Sequence, residues 1–144
     1  MTIKAKEILV SGDVETLWSR LISVMDESAS TMIRTAYSST IRESKDLAVM
    51  LFDENGRSLA ESAIASPSFL GTIPKTLNAF CAEFPNDTWM EGDLVITNDP
   101  WLGTGHLQDI TMAAPIFFEN NLTGFVAISA HGPDIGGRLY TALS

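Results

Sequence analysis

Ile110-Thr-Met-Ala-Ala-Pro-Ile-Phe-Phe118, Glu119-Asn-Asn121 and Thr123-Gly-Phe-Val-Ala-Ile-Ser-Ala130 form the stretch on which the fold turns. Two apolar runs separated by a short polar step read as neighbouring antiparallel strands. Phe125 to Ala130 is almost wholly apolar or small, the composition of a strand covered on both faces. In an antiparallel pair the start of one strand lies beside the end of the other. The loop before Ile110 and the loop after Ala130 therefore share one edge of the sheet.

Upstream, Asp93-Leu-Val-Ile-Thr97 reads as a further strand leading into a polar, Gly-rich loop. Leu47-Ala-Val-Met-Leu-Phe52 and Ser58-Leu-Ala60 flank Asp53-Glu-Asn-Gly56-Arg57, and Asn-Gly between apolar runs predicts a β-hairpin. Two helices complete the pattern. Val14, Leu17, Trp18, Leu21, Met25, Ala29, Met32, Ile33 and Ala36 recur at spacings of three and four, which predicts a long amphipathic helix over 14–36 capped by Asp13. Ile22 and Val24 lie off that stripe, which points to cover on a further side by a partner. A second helix is expected from Pro74 to Phe84, with Thr72 as cap and Ile73, Leu77, Phe80, Cys81 and Phe84 on one face. On that face Cys81 reads as a small buried hydrophobe. The fold class is α+β: long N-terminal helix, β-hairpin, second helix, then mainly antiparallel strands bearing two polar loops. With no repeat or Pro/Gly/Ser-rich linker, residues 1–144 read as one domain.

The chain has 144 residues, 45% hydrophobic and 19% charged, the composition of a folded domain rather than a disordered segment. Its net charge of −9 and scattered basic residues disfavour nucleic acid or an anionic membrane as partner. The single Cys81 excludes an internal disulfide and any CxxC metal or redox motif. The N-terminus lacks the apolar run of a signal peptide, and no stretch is apolar enough to span a bilayer. A cytoplasmic location is expected.

Chemistry concentrates in two loops. Asn98-Asp-Pro-Trp-Leu-Gly-Thr-Gly-His106-Leu-Gln-Asp109 precedes one strand, and His131-Gly-Pro-Asp134-Ile-Gly-Gly137 follows the other. They hold both histidines of the chain, each followed three residues later by aspartate. Imidazole and carboxylate are the donors that Zn²⁺, Mn²⁺ and Fe²⁺ accept, so a two-His, two-Asp set can form a metal site with open positions. The residues alone leave a second reading open, in which each His-x-x-Asp is a hydrogen-bonded pair that fixes a turn. Gly103-Thr-Gly105 lacks the Lys-Ser/Thr of a P-loop, and no G-x-S-x-G surrounds Ser129. An ATP site and a serine triad are thereby disfavoured. Trp101 reads as a loop anchor, and Arg42-Glu-Ser-Lys-Asp46 as a solvated charged turn.

The two His-x-x-Asp loops resemble the N-terminal region of the hydantoinase B/oxoprolinase family. Ile41-Arg-Glu-Ser-Lys-Asp46-Leu-Ala and Phe52-Asp-Glu-Asn-Gly56 are similar to a third motif of that family. The family includes B subunits of ATP-dependent hydantoinases, part of 5-oxoprolinase, caprolactamase and large subunits of acetone and acetophenone carboxylases. The resemblance implies a divalent metal, manganese or zinc, held by His106, Asp109, His131 and Asp134, with Asp46 a weaker candidate from the third motif. It implies ATP and Mg at a separate A-type partner subunit, in a hetero-oligomer. That partner would phosphorylate the carbonyl of a cyclic amide, and the B-type chain would then open the ring. A subunit of an ATP-dependent acetone or aryl-ketone carboxylase, and a non-catalytic assembly fragment, are the alternatives. Catalytic and substrate-binding residues stay unassigned. Many members carry a histidine where this chain has Gly132, and B subunits are several times longer. The chain is therefore expected to be an N-terminal fragment of a longer B-type subunit, a split-gene product or the ordered part of a larger assembly, inactive alone.

Overall fold

A computed structural model of the chain describes residues 11–133 and 136. Helix α1 spans Ser11–Thr35, a single π-helical turn Thr40–Ser44, strand β1 Leu47–Asp53, β2 Ser58–Glu61, helix α2 Pro67–Glu83, β3 Val95–Thr97, β4 Asp109–Phe118 and β5 Asn121–His131. The five strands form one sheet in the order β2-β1-β5-β4-β3, with every neighbouring pair antiparallel.

The α+β pattern read from the sequence is the architecture observed. β4 and β5 are joined by a tight turn in which Glu119 and Asn120 both take positive φ, 49° and 63°. That is the backbone twist a two-residue hairpin turn demands. At the β1–β2 turn Gly56 takes the left-handed conformation, φ 73°, and its amide donates to the Asp53 carbonyl.

β5 is central, and its alternation sorts two cores. Phe125 and Ala127 point with Ala48, Met50, Phe52 and Ala113 toward α2, where Phe69, Ile73, Leu77 and Phe80 meet them, joined by Trp89 from the segment after the helix. Leu47, Val49 and Ala130 face the other way, toward Met25 and Ala29 of α1. The near-continuous apolar runs of β1 and β5 follow from this two-sided cover. Gly124 lies so close to β1 that a Cβ there would sit 2.3 Å from the Phe52 carbonyl oxygen. The fit between these two strands needs glycine at that position.

Two boundaries differ from the sequence reading. α1 is already helical at Ser11, the first residue described, so Asp13 lies within the helix instead of capping it. α2 begins at Pro67 with Ser66 as N-cap, and Pro74 is inside the helix. Proline at the first helical position loses no bond, whereas Pro74 gives up the bond to the Leu70 carbonyl. Burial of Phe69, Ile73, Thr76, Leu77 and Phe80 on one face sustains the helix through that gap. Residues 42–45, read as part of a solvated charged turn, are exposed; residues 42–44 belong to the π-helical turn, whose buried residue is the preceding Ile41.

The apolar stripe of α1 is covered along only part of its length. Met25 and Ala29 are buried, while Val14, Leu17 and Trp18 are 46, 48 and 56% exposed. A helix of 25 residues is about 37 Å long, and its packing is on β1 and β2. No helix among the described residues is long and apolar enough to cross a membrane.

Candidate metal centre

Asp109 opens β4 and His131 closes β5, and the ladder places them directly opposite one another. His131 Nδ1 lies 2.7 Å from Asp109 Oδ1. An ionised carboxylate only accepts, so Nδ1 is the donor of this bond and Nε2 points away from it. His106 ends the loop before β4, and its Nδ1 is 3.7 Å from the other carboxylate oxygen, Oδ2. The two imidazole rings meet edge to face, 6.4 Å between centroids.

The three side chains differ in access to solvent. The Asp109 side chain is 5% exposed and that of His131 16%, whereas His106 is 41% exposed at the mouth. Buried charge requires a partner. Among the described residues the ion-pairing partners of Asp109 are the two histidines. Burial follows from the strand register, because Asp109 and His131 continue the row of Thr111, Ser129, Ala113 and Ala127 on the face that α2 covers. Thr111 and Ser129 occupy the next rung, their hydroxyls 3.0 Å apart, and form a buried polar step between site and core. Ser129 is thus engaged with Thr111.

The loop 98–108 is pinned to α2 and to itself. Thr76, fully buried, donates to the Leu102 carbonyl at 2.6 Å, and Lys75 Nζ donates to the Trp101 carbonyl at 3.1 Å. Asp99 accepts from the Trp101 amide through its carboxylate and from the Leu102 and Gly103 amides through its carbonyl. Thr104 then donates to Asp109 Oδ2, and Asn98 Nδ2 to the Leu107 carbonyl. Gly105 takes φ 96°, a left-handed turn just ahead of His106. Trp101 is no anchor: its backbone is fixed, but its ring is 84% exposed.

The structure therefore brings together His106, Asp109 and His131, whose donor atoms lie within 4.8 Å of one another. Metal bonds of about 2.1 Å set donors on one ion roughly 3–4 Å apart, a distance within reach of side-chain rotation. Two imidazoles and a buried carboxylate fit a borderline divalent cation by chemistry as well as by spacing. Asp46 lies beside this group through its main chain, its carbonyl accepting from the His131 amide at 3.1 Å, but its carboxylate is not among the three. Asp134 lies outside the described residues. Thr76 and Thr104 carry no sequence pattern that singles them out; the available signal is a hydroxyl within the apolar stripe of α2.

The same stretch of chain recurs in known proteins. The family model described as hydantoinase B/oxoprolinase matches residues 12–144. A Pseudomonas sp. (strain NS671) protein named as the B-type component of a D-/L-hydantoinase is 35% identical over 125 residues, 85% of this chain and 21% of that one. A 5-oxoprolinase of Dictyostelium discoideum is 32% identical over 118 residues, 82% of this chain and 9% of that one. Among solved structures, nucleotide-free acetone carboxylase superposes with a TM-score of 0.72 at 26% identity, over 82% of this chain and 16% of that one. The ATP-dependent caprolactamase of Pseudomonas jessenii shares the fold, with a TM-score of 0.79 at 24% identity over 92% of this chain and 23% of that one. The chain thus spans about a fifth of the hydantoinase component and about a tenth of the oxoprolinase. With a match that runs from the first turns of α1 through both histidine loops, the chain belongs to the hydantoinase B/oxoprolinase family.

Proposed function

We propose that the chain is the metal-bearing, N-terminal part of a B-type subunit in an ATP-dependent cyclic-amide hydrolase of the N-methylhydantoinase/5-oxoprolinase type. The observation that carries this reading is the buried carboxylate of Asp109 set between two imidazoles at one sheet edge. His106, Asp109 and His131 would hold manganese or zinc, with Asp46 and Asp134 as further donors. A divalent ion supplies Lewis acidity at the site when bound.

The chain's own residues have separable tasks. Asp109 orients His131 by accepting its Nδ1 proton, which leaves Nε2 as the donor. His106, the most exposed of the three, is the donor nearest to an incoming substrate. The loop that carries His106 is held by Asp99, Lys75 and Thr76. ATP would be used at a separate A-type partner, which phosphorylates the carbonyl oxygen of the cyclic amide before the ring opens. Activity is then a property of a cytoplasmic hetero-oligomer.

The test is to co-express the complete B-type subunit with its A-type partner and assay ATP-dependent opening of hydantoins, 5-oxoproline and lactams. Absence of turnover with all three rejects the hydrolase reading. The likeness to acetone carboxylase favours a second reading, a component of a ketone carboxylase. Bicarbonate-dependent ATP consumption with acetone or an aryl ketone would select it. Metal analysis addresses the site separately: equal metal content in wild type, H106A and H131A rejects the ligand assignment and leaves a non-catalytic assembly role.

A further inference from the structure

The metal reading leaves unexplained why a threonine chain runs from the buried face of α2 to Asp109. Thr76 sits on α2 among Ile73, Leu77 and Phe80 and is itself fully buried, its hydroxyl within reach of the Thr72 carbonyl of its own helix at 3.1 Å. That hydroxyl reaches the Leu102 carbonyl at 2.6 Å. Two residues on, Thr104 donates to Oδ2 of Asp109. Oδ2 is the oxygen on the His106 side of the carboxylate, and Oδ1 is the one on the His131 side.

We infer that Thr104 is a positioning residue of the metal centre: it holds the plane of the Asp109 carboxylate so that one oxygen faces each histidine. The inference rests on the metal reading of the site. The terminal torsion of aspartate is soft, and a single hydrogen bond to His131 would leave Oδ2 free to swing about it. A second bond from Thr104 removes that freedom. A carboxylate oxygen accepts two bonds, so the hydroxyl leaves Oδ2 a lone pair for a cation. Thr104 is itself fixed from behind. The Asp99–Gly103 turn is closed by amide bonds of 3.1 and 3.0 Å to the Asp99 carbonyl, and Thr76 ties the turn to α2. The sequence of dependence runs from α2 through the loop to the carboxylate, and only then to the ion.

The test uses the full-length chain, metal-free and then titrated with Mn²⁺ or Zn²⁺ by calorimetry. T104V removes the hydroxyl while keeping its shape, T104A removes it without adding a methyl, and T104S retains it. Loss of a group that orients a metal ligand weakens affinity by about 10–100-fold. That loss is expected in T104V and T104A, with T104S near wild type and all four metal-free chains folded. In a D109A background, T104V is expected to have no further effect on affinity, because Thr104 acts through Asp109. Wild-type affinity in T104V, or an undiminished T104V effect in the D109A background, overturns the inference. Loss of the fold in both T104V and T104A gives Thr104 a structural role and overturns it as well. Failure of the wild-type chain to bind either ion rejects the metal reading itself, which is a different outcome from wild-type binding that T104V leaves unchanged.

Discussion

His131 Nδ1 and Asp109 Oδ1 lie 2.7 Å apart across the β4–β5 ladder, so the strand register itself sets the geometry of the candidate centre. Their neighbour His106 arrives from a loop and is 41% exposed. The two histidines therefore differ in what they do for the metal-free fold. H131A strips a buried carboxylate of its partner and is expected to destabilise the chain by about 1–3 kcal/mol. H106A removes only a loop-side contact and is expected to stay within about 0.5 kcal/mol of wild type. Urea denaturation of the metal-free proteins measures both, and equal losses would contradict the asymmetry.

The contact between β1 and β5 depends on Gly124 in the same direct way. A Cβ at this position would meet the Phe52 carbonyl oxygen at 2.3 Å, a backbone atom that cannot rotate away. G124A is expected to lose about 1–3 kcal/mol, the cost of forcing packed elements apart. Because Asp53 pairs with Gly124 at the far end of β5 from His131, metal affinity should change little in the folded fraction. Parallel urea and metal titrations of G124A check both statements.

Strands and turns are legible in the sequence where the signal is local. Gly56 and Asn120 mark turns because few residues accept the positive φ that both positions take. The pairing of β4 with β5 then follows, and it is enough to set His106 beside His131. The start of α2 is obscured by Pro74, which imitates a helix beginning; the true beginning at Pro67 is supported by tertiary burial of Phe69 and Ile73. The exposure of Val14, Leu17 and Trp18 is equally hidden, since periodicity reports an apolar face and not what covers it. Thr104 is illegible for a different reason: its bond to Asp109 depends on a loop conformation that no spacing rule encodes.

The buried pair Thr111–Ser129 offers a measurable coupling. Both residues are nearly inaccessible, 3 and 0% exposed, with hydroxyls 3.0 Å apart. S129A leaves the Thr111 hydroxyl without that partner and is expected to cost about 1–3 kcal/mol. The double variant T111V/S129A removes both polar groups and should lose less than the sum of the single changes. A double-mutant cycle in urea decides this, and strict additivity would show that the two hydroxyls are not coupled.

Cys81 is expected to be a poor nucleophile. It packs against the α2-side core, and burial pushes its thiol up from the ordinary cysteine value. The thiolate, the reactive form, is therefore scarcer at pH 7–8 than in an exposed cysteine. Iodoacetamide should alkylate the folded chain more slowly than the urea-unfolded chain, with a rate that climbs as pH rises toward the raised value. Equal rates in the two states would contradict this.

Metal binding should also stabilise the fold, because the donor set exists only when β4 and β5 are paired. Asp109 and His131 are 22 residues apart in the chain and meet only through the ladder, so the unfolded chain has no comparable site. A ligand that binds only the native state stabilises it by about 2.7 kcal/mol at one hundred times its dissociation constant. Added Mn²⁺ or Zn²⁺ should raise the melting temperature of the wild-type chain, and a chelator should reverse the rise. H106A keeps the Asp109–His131 pair but lacks one donor, so it should show a smaller rise at equal metal concentration. D109A lacks the carboxylate between the two rings and should show the smallest rise of the three. A rise of equal size in wild type and D109A would mean that the ion stabilises the chain from somewhere other than this sheet edge.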